Sequence, residues 1–249
     1  MCVLVFHHRT RDDAPLVLLH NREEAYDRAF DGPRLQDVAT GIVAPRDRMA
    51  GGTWIGMNRW GLVVAIANRH GEEVEGTVRS RGLLVADLLR AHRAADALRM
   101  LARQLARIAY AGFHVLVADG EEACVVRHRG TADPRPLDGG DVFEFLPGAY
   151  VLTNRHDPGT IALPDAAWPD PAESLGETLG RLGRVAGDRG LTLAGGHRMV
   201  KRGRRYGTVC SALIAPPHFL FAAGPPDRTE FLPVPGTRPA SGGGGGHYP

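Results

Sequence analysis

The chain is poor in cysteine and in lysine, and each scarcity excludes a class of protein. Its 249 residues include three cysteines, Cys2, Cys124 and Cys210, whose spacing fits neither a disulfide framework nor a zinc motif. So few cysteines are typical of a protein kept in a reducing cytosol. Lys201 is the single lysine, and the basic residues are scattered at a formal net charge of +2. This pattern argues against a nucleic-acid partner.

Long apolar runs are also missing. No segment approaches the roughly 18 apolar residues that a membrane helix needs. The first apolar run, residues 2–6, is short and has no basic leader, so we expect no signal peptide and a cytoplasmic protein. The chain has no Cys-x-x-Cys-His motif, which excludes haem attached covalently in that way. We expect no metal site and no required cofactor.

What the sequence does have is a cysteine at position 2. A small residue after Met1 usually allows removal of that Met, which would leave Cys2 with a free α-amine beside its thiol. Nucleophile and general base would then share one residue, as in N-terminal-nucleophile hydrolases. The amine is suited to act as a base because its pKa is about 7.7–8. The alternative is that Cys2 is a buried apolar residue at the start of a strand.

Polar residues follow the second of two predicted strands. Residues 3–8 and 16–20 read as a hairpin around a polar turn, and Asn21-Arg22-Glu23-Glu24 comes directly afterwards. Antiparallel pairing would bring the end of the second strand close to the start of the first. We therefore expect these four side chains to lie near Cys2.

The remaining chain alternates between β and α patterns. A loop over Gly32-Pro33 is predicted to lead to Gly51, and a helix start is predicted at Asp170-Pro171. We also predict a hairpin (51–58 and 61–68) and helices over 80–110 with a break at His92-Arg93. The helix that starts at Asp170 has an apolar stripe of Leu175, Leu179 and Leu182 and a predicted C-cap at Gly190. The remaining predicted strands are 113–118, 124–128, 150–154, 207–215 and 219–223.

The order of elements predicts an α+β fold. The apolar run at 62–67 indicates a strand buried on both faces, which two face-to-face sheets with helices outside would satisfy. A single mixed sheet with helices on both faces is the competing architecture. We predict one domain over residues 1–232 and a disordered Pro/Gly-rich tail over 233–249.

A set of motifs in this order resembles the NRDE family, whose eukaryotic members are called transport and Golgi organisation proteins. The resemblance spans about residues 1–223. Its motifs are Met1-Cys2, Asn21-Arg22-Glu23-Glu24, Gly51-Gly52-Thr53-Trp54-Ile55-Gly56, Gly61 to Asn68, Ser80-Arg81-Gly82, Thr153-Asn154-Arg155 and Tyr206-Gly207-Thr208. The chain departs from the family at Glu23, where the family has Asp, and at Val209, where the family commonly has Arg. Arg204 or Arg205 is the candidate substitute for that arginine.

The family is in turn similar to the bile-salt hydrolase and penicillin V acylase group, which implies a four-layer αββα sandwich of the N-terminal-nucleophile-hydrolase type. The resemblance implies catalytic roles for Cys2, Arg22, Glu24, Asn68 and Asn154. Arg22 would lower the pKa of the thiol, and Glu24 would hold the α-amine or Arg22 in place. Asn68 or Asn154 would donate to the oxyanion, a contribution of roughly 2.7–4 kcal/mol per donor.

Each of these assignments has a structural alternative. Arg22 and Glu24 could form an ion pair that organises a turn, and Asn68 and Asn154 could satisfy backbone groups at strand ends. The predicted ligand-contacting residues are Asn21, Trp54, Arg69 and Arg155, although Trp54 could equally pack in the core.

Two functions are consistent with the sequence. In the first, the pocket around Cys2 handles haem or an acyl or lipid-type small ligand, as the family's association with haem trafficking implies. Arginines would meet the ligand's acidic groups, and Cys2, His7, His8, His20 or His70 would ligate iron. In the second, the chain is an N-terminal-cysteine amidohydrolase that cleaves an amide or thioester. The sequence leaves open whether the protein is an enzyme, because a fold does not determine a function.

Overall fold

The computed structural model describes residues 2–69, 71–72, 74 and 78–238, which form two compact units. One unit is Arg28–Leu146; the other combines Cys2–Asp27 with the chain from Pro147 onward. The strands are β1 (Val3–His8), β2 (Leu16–Ala25), β3 (Phe30–Asp37), β4 (Ile42–Asp47), β5 (Ile55–Met57), β6 (Val63–Asn68), β7 (Phe113–Ala118), β8 (Ala123–His128), β9 (Val142–Glu144), β10 (Gly148–Thr153), β11 (Thr192–Leu193), β12 (His197–Arg198), β13 (Tyr206–Ala215), β14 (His218–Ala222) and β15 (Leu232–Pro233). The helices are α1 (Arg81–Leu88), α2 (Ala94–Leu105) and α3 (Leu175–Gly187).

The unit formed by Arg28–Leu146 contains an antiparallel sheet in the order β3-β4-β5-β6-β7-β8-β9. Helices α1 and α2 pack on this sheet through β5, β6 and β7. Residues 62–67 are all buried, as the apolar run predicts for a strand covered on both faces. The predicted break between the two helices is confirmed, since α1 ends at Leu88 and α2 begins at Ala94.

Two strands of this sheet were predicted as loop. β3 and β4 occupy residues 30–47, so the predicted loop from Gly32-Pro33 to Gly51 is wrong over most of its length. β3 is an edge strand, largely exposed, and its register with β4 shifts twice. An edge strand tolerates proline and need not alternate polar and apolar residues. This explains why the sequence pattern missed it.

A backbone contact between two of the family motifs holds α1 against the sheet. A Cβ at Gly52 would lie 2.1 Å from the carbonyl carbon of Gly82, and the Thr53 N–H donates to the Gly82 carbonyl at 3.0 Å. Only glycine permits this approach. Ser80 caps α1 by accepting from the Gly82 N–H. The Gly-Gly-Thr-Trp and Ser-Arg-Gly motifs therefore act together in positioning the helix.

The second unit contains an antiparallel sheet in the order β10-β1-β2-β13-β14-β15 and the small β11–β12 pair. Helix α3 packs on β2 and β13. The core on this face is built from the odd-numbered residues of the central strands and the helix stripe, including Val3, Val5, Val17, Leu19, Val151, Leu179, Leu182, Leu213 and Phe231. The two large sheets lie in separate units, so the competing single mixed sheet is wrong.

Helix α3 begins later than the sequence predicts. Ser174 is its N-cap and forms a capping box with Glu177, whereas the predicted start at Asp170 is an isolated turn. The helix ends at Gly187 with Asp188 as C-cap, so the predicted cap at Gly190 is also wrong. A Cβ at Gly187 would lie 2.8 Å from the Pro226 carbonyl oxygen, so a close backbone approach accounts for that glycine.

The first residues of the segment predicted as tail continue the sheet. Pro233 belongs to β15, and the Val234 N–H donates to the Phe219 carbonyl at 2.8 Å. Residues 239–249 lie outside the described residues. Along the described chain, no helix has the length and apolar character needed to cross a membrane.

The late start of α3 predicts different costs for two nearby substitutions. Replacing the N-cap, Ser174→Ala, should lower the free energy of unfolding by about 1 kcal/mol because the Glu177 N–H loses its side-chain acceptor. The matched variant Asp170→Ala should cost only a few tenths of a kcal/mol. Urea unfolding monitored by circular dichroism measures both, and a larger loss for Asp170→Ala would contradict this helix boundary.

Candidate functional site

The motif Asn21-Arg22-Glu23-Glu24 lies within a strand. It was predicted to follow strand two, but β2 continues to Ala25 because its second half pairs with β13. Val3 pairs with Asn21 on one side of β1 and with Thr153 on the other. One step further along these ladders places Cys2 between Arg22 and Asn154. The predicted proximity of the motif to Cys2 is therefore confirmed, although its local structure is different.

Four polar side chains form a row across four adjacent strands. Cys210 of β13 pairs with Arg22 on the far side of β2. The order across the sheet is therefore Asn154, Cys2, Arg22 and Cys210. Odd-numbered neighbours such as Val3, Leu19 and Leu213 face α3. Because side chains alternate along a strand, the four members of the row share the opposite face of the sheet. We call this set, Asn154, Cys2, Arg22 and Cys210, the cysteine row.

The Cys2 thiol is buried in a polar environment. Burial raises the pKa of the Cys2 thiol, and it is opposed by the positive charge at the chain start, the Glu23 N–H that hydrogen-bonds to the sulfur, and the Arg22 charge. Cys2 is 8% exposed. The thiol therefore has adjacent groups that favour its anion, inside a site that otherwise favours the neutral form.

Arg22 is the cation of the row. Its side chain is buried, and its Nη2 atom lies 3.9 Å from the Glu24 Oε2 atom. The guanidinium also hydrogen-bonds to the Cys210 thiol. The Glu24 carboxylate accepts from the Ala25 N–H at 2.9 Å, which holds it at the edge of the row. This arrangement brings together Arg22 and Glu24 as predicted.

Sequence reasoning gave no role to Glu23 or His197, which pair on the sheet face opposite the cysteine row. The Glu23 carboxylate is fully buried, and its Oε1 atom lies 3.6 Å from the His197 Nε2 atom. The Tyr206 hydroxyl donates to the Glu23 carbonyl oxygen at 2.6 Å. The available signal was the position of Glu23 in the motif, where the family has Asp. His197 carries no sequence signal, because it reaches Glu23 from β12, far along the chain.

Asn21 is fully engaged by the fold. Its side-chain amide donates to the carbonyl oxygens of Ala186 and Met199 at 2.9 and 2.8 Å, and its Oδ1 atom accepts from Ser211 at 2.6 Å. It therefore fixes the end of α3 to β2. The predicted ligand contact through Asn21 stays a prediction, and its observed bonds are structural.

Asn154 has an amide end that the fold does not use. The residue is 3% exposed, and its Oδ1 atom has no hydrogen-bond partner among the described residues. Oxygen and nitrogen of an asparagine amide exchange places by rotation, so this end can present either an acceptor or a donor. The neighbouring Arg155 is exposed, and its N–H donates to Thr153 at 3.4 Å.

The other predicted site residues lie in the Arg28–Leu146 unit. Asn68 is exposed at the end of β6. Arg69 is held by Glu72 and by the His114 ring nitrogen, each at 2.8 Å. Trp54 is buried and meets Phe30 edge-on at 5.5 Å between ring centroids, which is a core contact. The catalytic role of Asn68 and the ligand contacts of Trp54 and Arg69 stay predictions.

The histidines considered as iron ligands lie in different environments. The His7 Nε2 atom is 2.8 Å from the Ala167 carbonyl oxygen, and burial lowers the pKa of His7 to about 4. Burial lowers the pKa of His20 to about 3, with the Arg22 charge acting in the same direction. Neither ring nitrogen of His20 has a hydrogen-bond partner among the described residues. His8 is buried in β1, and His70 lies outside the described residues.

No group of three or more His, Cys, Asp or Glu in the described part of the chain is arranged to hold a metal ion.

Comparison with known proteins gives a family match and a set of distant relatives. The family model described as "Transport and Golgi organisation 2" matches residues 1–170. The Transport and Golgi organization protein 2 homologs of Bos taurus and Homo sapiens are 30% and 28% identical over 169 residues. That match covers 62% of this chain and 57% of each relative, so the chain spans little more than half the length of these curated proteins.

Solved structures that resemble this one are N-terminal-nucleophile hydrolases. The penicillin V acylase of Agrobacterium tumefaciens matches with a TM-score of 0.54 at 14% identity, covering 90% of this chain and 83% of that one. The Caenorhabditis elegans N-acylethanolamine-hydrolyzing acid amidase ortholog matches at 0.53 and 12% identity, covering 86% and 93%. A C2A mutant of the conjugated bile acid hydrolase of Clostridium perfringens matches at 0.51 and 12%, covering 94% and 92%. The predicted αββα fold class is confirmed.

The two lowered histidine pKa values predict acid sensitivity. The folded-state pKa values of His7 and His20 lie below the ordinary value near 6.5, so the unfolded chain binds protons that the folded protein does not. The contribution of each histidine to the free energy of unfolding should be fully present above pH 6.5. It should fall by about 1.4 kcal/mol per pH unit as the pH drops toward 4 for His7 and toward 3 for His20. His20→Leu should reduce the difference between pH 7 and pH 5 by about 2 kcal/mol in urea unfolding. A profile parallel to that of the native chain would contradict this account.

Proposed function

Because this chain belongs to the Transport and Golgi organisation 2 family and has the N-terminal-nucleophile hydrolase fold, we propose that it is an N-terminal-cysteine hydrolase of acyl compounds. Cys2 is the nucleophile, and the substrate bond is an amide or a thioester. The same site would hold the acyl or lipid-type ligand that the family resemblance implies.

The cysteine row is the observation that carries this proposal. It places a thiol between a cation, Arg22, and an amide, Asn154, on one face of a sheet. An acyl-transfer site needs a nucleophile, a group that favours its anion and a donor for the oxyanion. A structural role for Cys2 alone would require none of these neighbours.

The chemistry follows from removal of Met1. The α-amine of Cys2 takes the thiol proton, and the sulfur attacks the carbonyl carbon to form a C–S bond while the carbonyl electrons move to oxygen. Asn154 donates to that oxyanion. The C–N or C–S bond to the leaving group then breaks, and the α-ammonium returns the proton to the leaving group. Water next gives a proton to the amine and its oxygen attacks the thioester carbon. The C–S bond then breaks, the α-ammonium returns the proton to the Cys2 sulfur, and the acid is released.

The names of the structural neighbours support the substrate class. Two of these proteins are named as an N-acylethanolamine-hydrolyzing acid amidase and a penicillin V acylase, and the third, a conjugated bile acid hydrolase, was solved as a C2A mutant. Identity of 12–14% supports the fold alone, so the role of Cys2 depends on the residues of this chain.

A carrier of haem or of an acyl or lipid-type ligand is the alternative within the same family. It requires neither removal of Met1 nor a reactive thiol. The experiment below therefore separates the two functions.

The first test measures the N-terminus and the acylation of Cys2 together. The native protein should lack Met1 by intact mass, and 4-nitrophenyl butyrate should add one butyryl group to the Cys2 peptide. Cys2→Ala should abolish both the adduct and turnover. Insertion of a glycine between Met1 and Cys2 should also abolish turnover, because the α-amine then lies one residue from the thiol.

Cys124→Ala is the matched control, since Cys124 is a buried thiol of the other unit whose pKa is raised to about 11. It should behave as the native chain. Retention of Met1 together with unchanged turnover in the Cys2→Ala variant would exclude the hydrolase. A saturable Soret shift on haem titration without any adduct would favour the carrier.

Asn154 provides a separate test of the oxyanion contact. Asn154→Ala should lower kcat for 4-nitrophenyl butyrate by about 10²–10³-fold while KM changes little, because the lost contact forms only in the transition state. Asn68→Ala should be compared in parallel. A kcat within twofold of the native value for Asn154→Ala would assign this asparagine to structure.

A further inference from the structure

An irregularity in β13 controls which residue faces Arg22. Thr208 pairs with Glu23 and Cys210 pairs with Arg22, so Val209 is an extra residue in the ladder. Without this bulge, Val209 would stand opposite Arg22. A β-bulge re-aims the side chains of its strand at the cost of a local break in pairing, and bulges are common next to active sites. Here the break gives Arg22 a sulfur as its neighbour.

Hydrogen bonds fix the strand on both sides of the bulge. Before it, Thr208 exchanges two bonds with Lys201, of 2.8 and 2.9 Å. After it, the Ser211 hydroxyl donates to Asn21 at 2.6 Å. Cys210 is therefore held between two anchored residues, and it is 1% exposed.

The Arg22 guanidinium hydrogen-bonds to the Cys210 thiol, and its charge also acts on the Cys2 thiol. An arginine side chain has many rotamers, and each acceptor that it contacts removes some of that freedom. Strand alternation places Arg22 on the face that carries Cys2, and a contact with Cys210 limits the rotamers that the guanidinium adopts within the cysteine row.

We propose that Cys210 is a positioning residue whose thiol holds the Arg22 guanidinium beside Cys2. This role goes beyond the hydrolase mechanism, although its benefit to catalysis rests on that proposed function. Cys210 itself does not react: burial raises the pKa of its thiol. The departure at Val209 agrees with this role, because the bulge puts Cys210 rather than Val209 opposite Arg22.

Several other charged or titratable groups act on the Cys2 thiol and its neighbours. Glu23 raises the pKa of Cys2 while the charge at the chain start lowers it, and His20 lies on the same face as Arg22. Glu24 contacts Arg22 from β2 itself. Substitution of Cys210 leaves all of these groups in place, so a change in the titration of Cys2 reports on Arg22.

The test measures alkylation of Cys2 by iodoacetamide in the native protein from pH 5 to pH 10, quantified on the Cys2 peptide. Cys210→Ala removes the acceptor, so the midpoint of Cys2 alkylation should move to higher pH and the rate at pH 7 should fall by at least about threefold. Cys210→Ser keeps an acceptor at the same position and should restore most of the rate. Cys124→Ala is the control for loss of a buried thiol.

Three results would overturn the proposal. The first is a Cys210→Ala profile that coincides with the native profile. The second is an equal loss in Cys210→Ser and Cys210→Ala that follows a loss of thermal stability, which would assign Cys210 to packing. The third is a native Cys2 thiol that iodoacetamide does not modify at any pH. If Cys210→Ala does not fold, the comparison of Cys210→Ser with Cys210→Val decides in the same way.

The butyryl adduct tests the hydrolase function independently of the positioning role of Cys210. A native protein whose Cys2 alkylation depends on Cys210, but which forms no butyryl adduct, would retain the positioning role and lose the enzymatic function. A butyryl adduct that forms equally in the native protein and in the Cys210→Ala variant would retain the enzymatic function and lose the positioning role.

Discussion

The antiparallel pairing of β2 with β1 on one side and with β13 on the other determines where each polar group near Cys2 lies. Side chains alternate along a strand, so a slip of one residue would move Arg22 to the face covered by α3. Val17 and Leu19 prevent that slip because they belong to the core under α3. Asn21 adds specific bonds to the carbonyls of Ala186 and Met199. The core on one face of the sheet thus sets the register of the site on the other.

This arrangement places charged groups where a sheet would ordinarily carry apolar ones. Arg22 and Glu23 are both buried in the middle of the second unit. Removing a charge from water costs several kcal/mol unless partners replace the lost hydration. Glu24 and Cys210 lie beside Arg22, and the His197 Nε2 atom lies 3.6 Å from the Glu23 Oε1 atom. A local conflict between stability and polarity of this kind is typical of functional sites.

Elements with a local signal were predictable from sequence. The strand at Val3–His8, the hairpin around residues 58–61 and the break between α1 and α2 follow from alternation, turn residues and helical spacing. The start of α3 was misplaced because Asp170 and Ser174 each stand three residues before a glutamate, so both fit a capping box in sequence, and only Ser174 forms one in the structure. β3 was missed because an exposed edge strand needs no apolar face.

For the site, the sequence by itself determined that Cys2 directly precedes a buried strand, that Arg22 and Glu24 lie near it and that Thr153-Asn154 lies at the end of another strand. Hairpin geometry and motif order carry this information, because they act over a few residues. Only the tertiary structure decided that Asn154, Arg22 and Cys210 flank Cys2 in one row and that His197 reaches Glu23. These contacts join residues up to about 190 positions apart, and one of them depends on a single extra residue in β13. Pairing over such distances follows from burial of the whole sheet, which no short sequence pattern records.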